Sequence, residues 1–213
     1  MLSTWKRVCI GVEAAVSSFR DPYRADMVAV LGEVTAPLFI ERIRNTMLKS
    51  KSGREILRSR PNIDLETVEK ARLCAPDTLG SAYIKFLTDN NVSPLTRSSV
   101  KYIDDSELAY VMTRYRQIHD FIHVCTGLPT TVEAEVLLKW FEWMQTGLPM
   151  NALASVFGPF SLDYEQRKFV RARVPLAIRS GLDSEPLINV YFETHLNENL
   201  TDFRNRLKIK ALA

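Results

Sequence analysis

At 213 residues, with 46% hydrophobic and 25% charged residues and a formal net charge of +3, the chain has the make-up of one globular domain, not of a disordered or fibrous segment. It holds no apolar run of about 18 residues, which excludes a membrane-spanning helix by hydropathy. Cys9, Cys74 and Cys125 show no paired spacing, which excludes a disulfide framework and fits a reducing compartment.

From the N-terminus, Leu2, Trp5, Val8, Cys9 and Val12 recur at helical spacing with Lys6 and Arg7 and no acidic residue as far as Val12. Residues 1–20 therefore read as a basic amphipathic targeting or membrane-surface segment, or equally as an ordinary first helix continuing into Ala14, Ala15, Val16 and Phe19. Helical segments follow around Arg24–Val30 and beyond Pro37, interrupted at Pro22 and Pro37, with Leu38, Ile40, Ile43 and Met47 keeping the rhythm. A short helix from Gly53 ends before Pro61. Asp64 caps the next, with Val68 and Leu73 facing inward, and Thr78 leads into one closed by Asn90–Asn91. Residues 92–99 read as a loop.

Asp104 and Glu107 have capping-box spacing, and Leu108, Met112, Tyr115, His119 and Ile122 form one stripe of a long helix stopped by Gly127 and Pro129. Thr130 and Glu133 form a second box, with Val132, Val136, Trp140 and Met144 as the next apolar face. The short connection favours an antiparallel pair. Val174–Ala177 and Gly181 interrupt the region after the turn at Thr146–Pro149, and 191–207 closes the chain as an amphipathic helix. No strand alternation persists, so the expected fold is all-α, a single compact helical domain over 1–213.

Two of only three histidines, His119 and His123, sit four residues apart, which stacks them on one helix face. Both imidazoles then reach a single divalent ion, and Glu135, near the start of the next helix, comes back toward His123 as an oxygen ligand. Asp120, turned roughly 60° from His123 at about 100° per residue, reads as a fourth ligand or as a carboxylate that orients an imidazole. The ordinary reading is a hydrogen-bonded core histidine, Glu135 paired with Lys139, and Asp120 with Arg116. Cys125, two residues after His123, reads as a soft ligand by proximity, but at i+2 it points to another face, which favours a buried apolar role. The aromatics around the motif (Tyr102, Tyr110, Tyr115, Phe121, Trp140, Phe141, Trp143) read as core, or as an apolar tunnel for a lipid-tailed substrate. Basic stretches over 42–60 and 167–179 read as solvated faces, or as contacts for anionic lipid or a carboxylate; no nucleic-acid motif accompanies them.

The segment from Asp104 to Asp120 resembles the core of the coenzyme Q biosynthesis protein Coq-four family. His119, Asp120, His123 and, after eleven intervening residues, Glu135 match its metal-binding signature His-Asp-x-x-His…Glu. Lys139-Trp140-Phe141-Glu142, Thr146-Gly147-Leu148-Pro149-Met150 and Phe157-Gly158-Pro159 resemble its following blocks, and Asp21-Pro22-x-Arg24, Leu31-Gly32-Glu33 and Gly53-Arg54-x-Ile56-Leu57 extend the likeness over nearly the whole chain. Ala134, Leu176 and Asn62 depart from the usual Gly, Trp and Arg.

The resemblance implies a mitochondrial protein, peripheral on the matrix side of the inner membrane. It implies partners in the multiprotein complex that modifies the quinone head group, and leaves room for a homo-oligomer. It also implies a metal, zinc or alternatively iron, and decarboxylation, in some descriptions oxidative, of 4-hydroxy-3-methoxy-5-polyprenylbenzoate. Asp120 would then be a ligand or the proton carrier, and Arg114, Arg116 or Lys139 would pair with the departing carboxylate. The alternative it carries is a non-catalytic lipid-binding scaffold with a structural metal.

Overall fold

The structure, a computed structural model, describes residues 4–20 and 24–213. The described residues form eleven α-helices and no strand: α1 (Thr4–Arg20), α2 (Ala25–Thr35), α3 (Pro37–Lys49), α4 (Lys51–Ser59), α5 (Leu65–Arg72), α6 (Leu79–Asp89), α7 (Ser106–Thr126), α8 (Val132–Thr146), α9 (Pro149–Phe157), α10 (Tyr164–Asp183) and α11 (Leu200–Arg206). The all-α expectation is met. Leu2 of the proposed amphipathic segment and the interruption at Pro22 lie outside the described residues.

The axis of the molecule is α7, buried along most of its length from Val111 to Thr126. Its first turn is satisfied by the Asp105 carboxylate, which accepts from the backbone N–H groups of Glu107 and Leu108; the cap is thus Asp105, one residue later than Asp104. Gly127 ends it at φ 77°, donating to the His123 carbonyl, a left-handed conformation that suits glycine. Behind α7 an aromatic column fixes its depth. Phe121 stacks on Tyr83 of α6 with ring centroids 4.0 Å apart and on Phe192 at 4.8 Å, and Phe192 meets Phe203 of α11 at 5.8 Å. Fully burying each such ring is worth about 1.5–3 kcal/mol.

On the other side α8 folds back along α7 and packs against α10, where Gly181 lets the helices close; a Cβ there would sit 2.8 Å from both the Phe141 carbonyl and Met144 Cβ. The α1–α2 pair lies against α9, and Gly32 accommodates the Met150 sulfur.

Several expected boundaries move, each for a local reason. The cap of α8 is Thr131, not Thr130, whose N–H and hydroxyl are instead taken by the Asn90 side chain. Pro175 does not interrupt its region: α10 runs through it unbroken, since one missing N–H is tolerated in a long, well-packed helix. The terminal helix is only α11, because residues 196–199 pair with the start of α6 instead, Gly80 donating to the Leu196 carbonyl and Leu79 to that of Glu198, before Asn199 caps α11. Leu73, expected inside, is exposed, while Val68 is buried.

Candidate metal centre

The antiparallel return of α8 along α7 sets Glu135 opposite His119 and His123, and Glu142, two turns on, opposite His119 and Tyr115. His119, His123 and Glu135 offer one ligand atom each, all within 4.8 Å of one another. His123 Nε2 lies 3.0 Å from Glu135 Oε1, His119 Nε2 lies 3.7 Å from Oε2, and the two Nε2 atoms are 3.3 Å apart. Both expected histidines and the expected glutamate therefore converge.

The opposite ring atoms determine the tautomers. His123 Nδ1 is 3.0 Å from the Leu128 carbonyl, and His119 Nδ1 is 2.9 Å from Glu142 Oε1. A carbonyl or carboxylate oxygen only accepts, so each Nδ1 carries the hydrogen and each neutral ring turns its Nε2 lone pair inward. Two lone pairs and a carboxylate then face one point with no protein donor between them. That arrangement is unfavourable without a positive charge and is the donor set for a divalent ion. Short of a metal, a proton supplies that charge. Burial and nearby Lys139 disfavour it on His119, but Glu142 and Glu135 outweigh them and hold the His119 pKa above its ordinary value.

Glu142 is the residue that sequence spacing did not single out. Fully buried, it accepts from His119, from Lys139 Nζ at 2.6 Å and from the Tyr115 hydroxyl at 3.0 Å. Burial pushes its carboxyl up, but Lys139 and His119 pull it down to about 2, so it stays an anion. The signal was present: Glu135, Lys139 and Glu142 fall at i, i+4 and i+7 on one face of α8. Burial likewise raises the Glu135 carboxyl, but a proton on the facing Nε2 of His119 or His123 makes that ring a charged donor to it and holds it well below the usual carboxylate range.

The remaining expectations are redistributed. Asp120 is not among the three converging ligands: its Oδ1 accepts from Arg97 Nη2 at 2.5 Å, because the loop of residues 97–103 crosses α7 there. Arg114 is buried in a pair with Glu193 and also donates to the Val190 carbonyl. Arg116 donates to Glu33 and to the Ala29 carbonyl, and Lys139 to Glu142 rather than Glu135. None of the three cations expected to meet a substrate carboxylate is without a carboxylate of its own. Cys125 is buried away from the centre, and burial pushes its thiol up to about 12.

The three converging residues, with Asp120 and Arg97, line a cavity of about 1200 Å³ whose walls are largely apolar. Val28 and Leu31 of α2, Val132 and Val136 of α8, and Met150 and Leu153 of α9 supply much of that wall. The volume exceeds the roughly 300–1,000 Å³ common for small-molecule sites and suits a ring bearing a long apolar tail.

An all-helical fold in which two histidines and a carboxylate converge on such a cavity defines a class of protein with a candidate metal centre beside room for an apolar ligand. The family described as "Coenzyme Q (ubiquinone) biosynthesis protein Coq4" matches residues 1–213, and the chain belongs to it. Proteins named mitochondrial ubiquinone biosynthesis protein COQ4 are similar over their shared length. The one from Paracoccidioides lutzii is 46% identical, covering 98% of this chain and 74% of that protein. The Drosophila grimshawi homologue is 42% identical, covering 99% and 81%, and that of Schizosaccharomyces pombe 40%, covering 99% and 79%. A crystal structure from Nostoc punctiforme, described as a candidate ubiquinone biosynthesis protein, shares the fold with a TM-score of 0.73 at 18% identity, covering 92% of this chain and 95% of that one.

Proposed function

We propose that this member of a ubiquinone biosynthesis family is a metal-dependent decarboxylase acting on a polyprenylated 4-hydroxybenzoate, 4-hydroxy-3-methoxy-5-polyprenylbenzoate in the reading the family signature implies. The observation that carries it is the convergence of two Nε2 lone pairs and the Glu135 carboxylate on one point of a lipid-sized cavity. His119, His123 and Glu135 would hold the ion, zinc or alternatively iron, which as a Lewis acid stabilises negative charge developing on an aromatic oxygen or ring.

The chain's own groups do the rest. Glu142 and the Leu128 carbonyl fix the two imidazoles, so that the site is assembled before a ligand arrives. The apolar wall excludes water around the ring and takes up the tail. Loss of carbon dioxide leaves an electron pair on the ring carbon, which takes up a proton. In the oxidative variant, the ring carbon gives two electrons to dioxygen, which leaves as hydrogen peroxide, and the oxygen of a water molecule becomes the hydroxyl that replaces the carboxylate lost as carbon dioxide. Two histidines and one carboxylate are also the donor set of non-haem iron oxygenases, which supports the oxidative variant if iron is resident.

The reading extends to location. Among the described residues no helix is long and apolar enough to cross a membrane. Trp5, Val8, Val12 and Val16 line up on α1 at i, i+3, i+7 and i+11 and are 75%, 50%, 59% and 45% exposed, and Val16 also borders the cavity. Exposed Phe157, at the end of α9, borders the same cavity, and the ring centroid of exposed Phe160 lies 6.3 Å from that of Phe157. These faces support peripheral attachment to a bilayer; the matrix side of the mitochondrial inner membrane, among the other proteins of the quinone-modifying complex, is what the family resemblance adds to that reading. The test is release of labelled carbon dioxide from carboxyl-labelled substrate by zinc- and iron-loaded protein, with and without dioxygen. The expected result is turnover that His123→Ala abolishes. A metal-loaded, folded protein that binds the lipid and never turns over supports instead a scaffold with a structural metal.

A further inference from the structure

The Arg97–Asp120 pair lies in the wall of the metal-centre cavity and is incompletely satisfied on both sides. Arg97 uses only Nη2, toward Asp120 Oδ1; among the described residues its Nε and Nη1 have no acceptor, and its side chain is 30% exposed and lines the cavity. Asp120 is buried to within a few per cent, yet its Oδ2 has no hydrogen-bond partner. A buried carboxylate oxygen without a donor is destabilising, so its retention needs a reason.

The segment carrying Arg97 is held down independently of that pair. Glu33 Oε2 accepts from the backbone N–H groups of Lys101 and Tyr102, both at 2.7 Å, and Ser93 caps the turn Pro94–Thr96 before Arg97. Arg97 is therefore placed by the fold at both its backbone and its side chain. Of the other cations on this wall, Lys139 is committed to Glu142, Arg116 gives its Nη2 to Glu33 and the Ala29 carbonyl and leaves only a buried Nη1 unpaired, and Arg20 is exposed, whereas Arg97 keeps both Nε and Nη1 open beside Asp120.

We infer that Arg97, oriented by Asp120, is the residue that recognises the carboxylate of an aromatic acid in this cavity, with Asp120 Oδ2 accepting from a hydroxyl or water beside it. The guanidinium presents further N–H donors in a planar fork that matches a carboxylate, and its charge is the complement of an acid and not of the decarboxylated phenol. Arg97 thus confers preference for the substrate over its own product. The inference rests on the decarboxylase reading for the identity of the acid, and it is tested by binding alone.

The experiment compares equilibrium binding of 3-geranyl-4-hydroxybenzoate and 2-geranylphenol in detergent micelles to metal-loaded wild type, Arg97→Met, Arg97→Lys and the charge-neutral double variant Arg97→Met with Asp120→Asn. Metal content and helicity are recorded for each. Wild type is expected to prefer the acid. Arg97→Met and the double variant are expected to lose roughly 10–100-fold of that preference, from hydrogen bonds to a charged group, with phenol binding nearly unchanged. Arg97→Lys is expected to recover part of it. Undiminished acid preference in both neutral variants overturns the inference and assigns the carboxylate to the metal. Equal loss of acid and phenol overturns it in favour of a purely structural pair. Failure of the decarboxylase reading shows differently, as absent turnover with the acid preference and its Arg97 dependence intact.

Discussion

His119 Nδ1 sits 2.9 Å from Glu142 Oε1, so that α8 supplies both a candidate ligand, Glu135, and the carboxylate that orients the His119 ring of α7. Glu142 also absorbs the charge of Lys139. Replacing it with an isosteric amide, Glu142→Gln, leaves all three ligands in place but removes the anion behind His119. Metal affinity is expected to fall roughly 10–100-fold, measured by competition with a chromophoric chelator. An unchanged affinity would show that the imidazole needs no carboxylate behind it.

Arg114 stands for the opposite case, a charged residue near the motif whose role is architectural. It is fully buried, and its guanidinium is shared by Glu193 and the Val190 carbonyl, tying α7 to the irregular segment before α11. Arg114→Met strands Glu193 and is expected to cost about 3–5 kcal/mol in denaturant unfolding. The metal stoichiometry of the molecules that remain folded should not change.

The apolar stripe on α1 carries a measurable consequence. Trp5→Ser together with Val12→Ser removes two apolar side chains that are mostly exposed. Binding to vesicles containing anionic phospholipid is expected to weaken, by roughly 100-fold if both side chains are fully inserted at about 1.5 kcal/mol or more each. Thermal stability should be nearly unaltered. Equal vesicle binding by the double variant would remove α1 from the membrane-facing surface.

Burial sorts the thiols. Cys9 is exposed, whereas Cys125 is buried with its pKa pushed up to about 12 by desolvation, only partly offset by Arg204. Because the thiolate is the reactive form, an alkylating reagent at neutral pH is expected to label Cys9 in the native protein and Cys125 only after unfolding. Mass mapping of the labelled peptides reads this directly. Native labelling of Cys125 would mean that the C-terminal half of α7 opens.

The convergence of these three residues was legible in sequence because its signal is local: His119 and His123 lie one turn apart, and a short loop opened by Gly127 brings Glu135 back to them. The same locality explains what was missed. Asp120 meets Arg97 and Arg116 meets Glu33, across 23 and 83 residues of chain, and no helical period reports such pairings. The expected terminal helix failed for the same reason, since the backbone of 196–198 satisfies the start of α6, a partner far away in sequence. Pro175 misled in the other direction: its local cost is real, but the packing of α10 on α8 outweighs it.

The most direct measurement is the metal content of purified protein by elemental mass spectrometry, wild type beside His123→Ala, with circular dichroism confirming that both are folded. The account predicts close to one divalent ion per wild-type chain and little or none in the variant. A folded wild type that holds no metal even after reconstitution, or a variant that holds as much as the wild type, would contradict it.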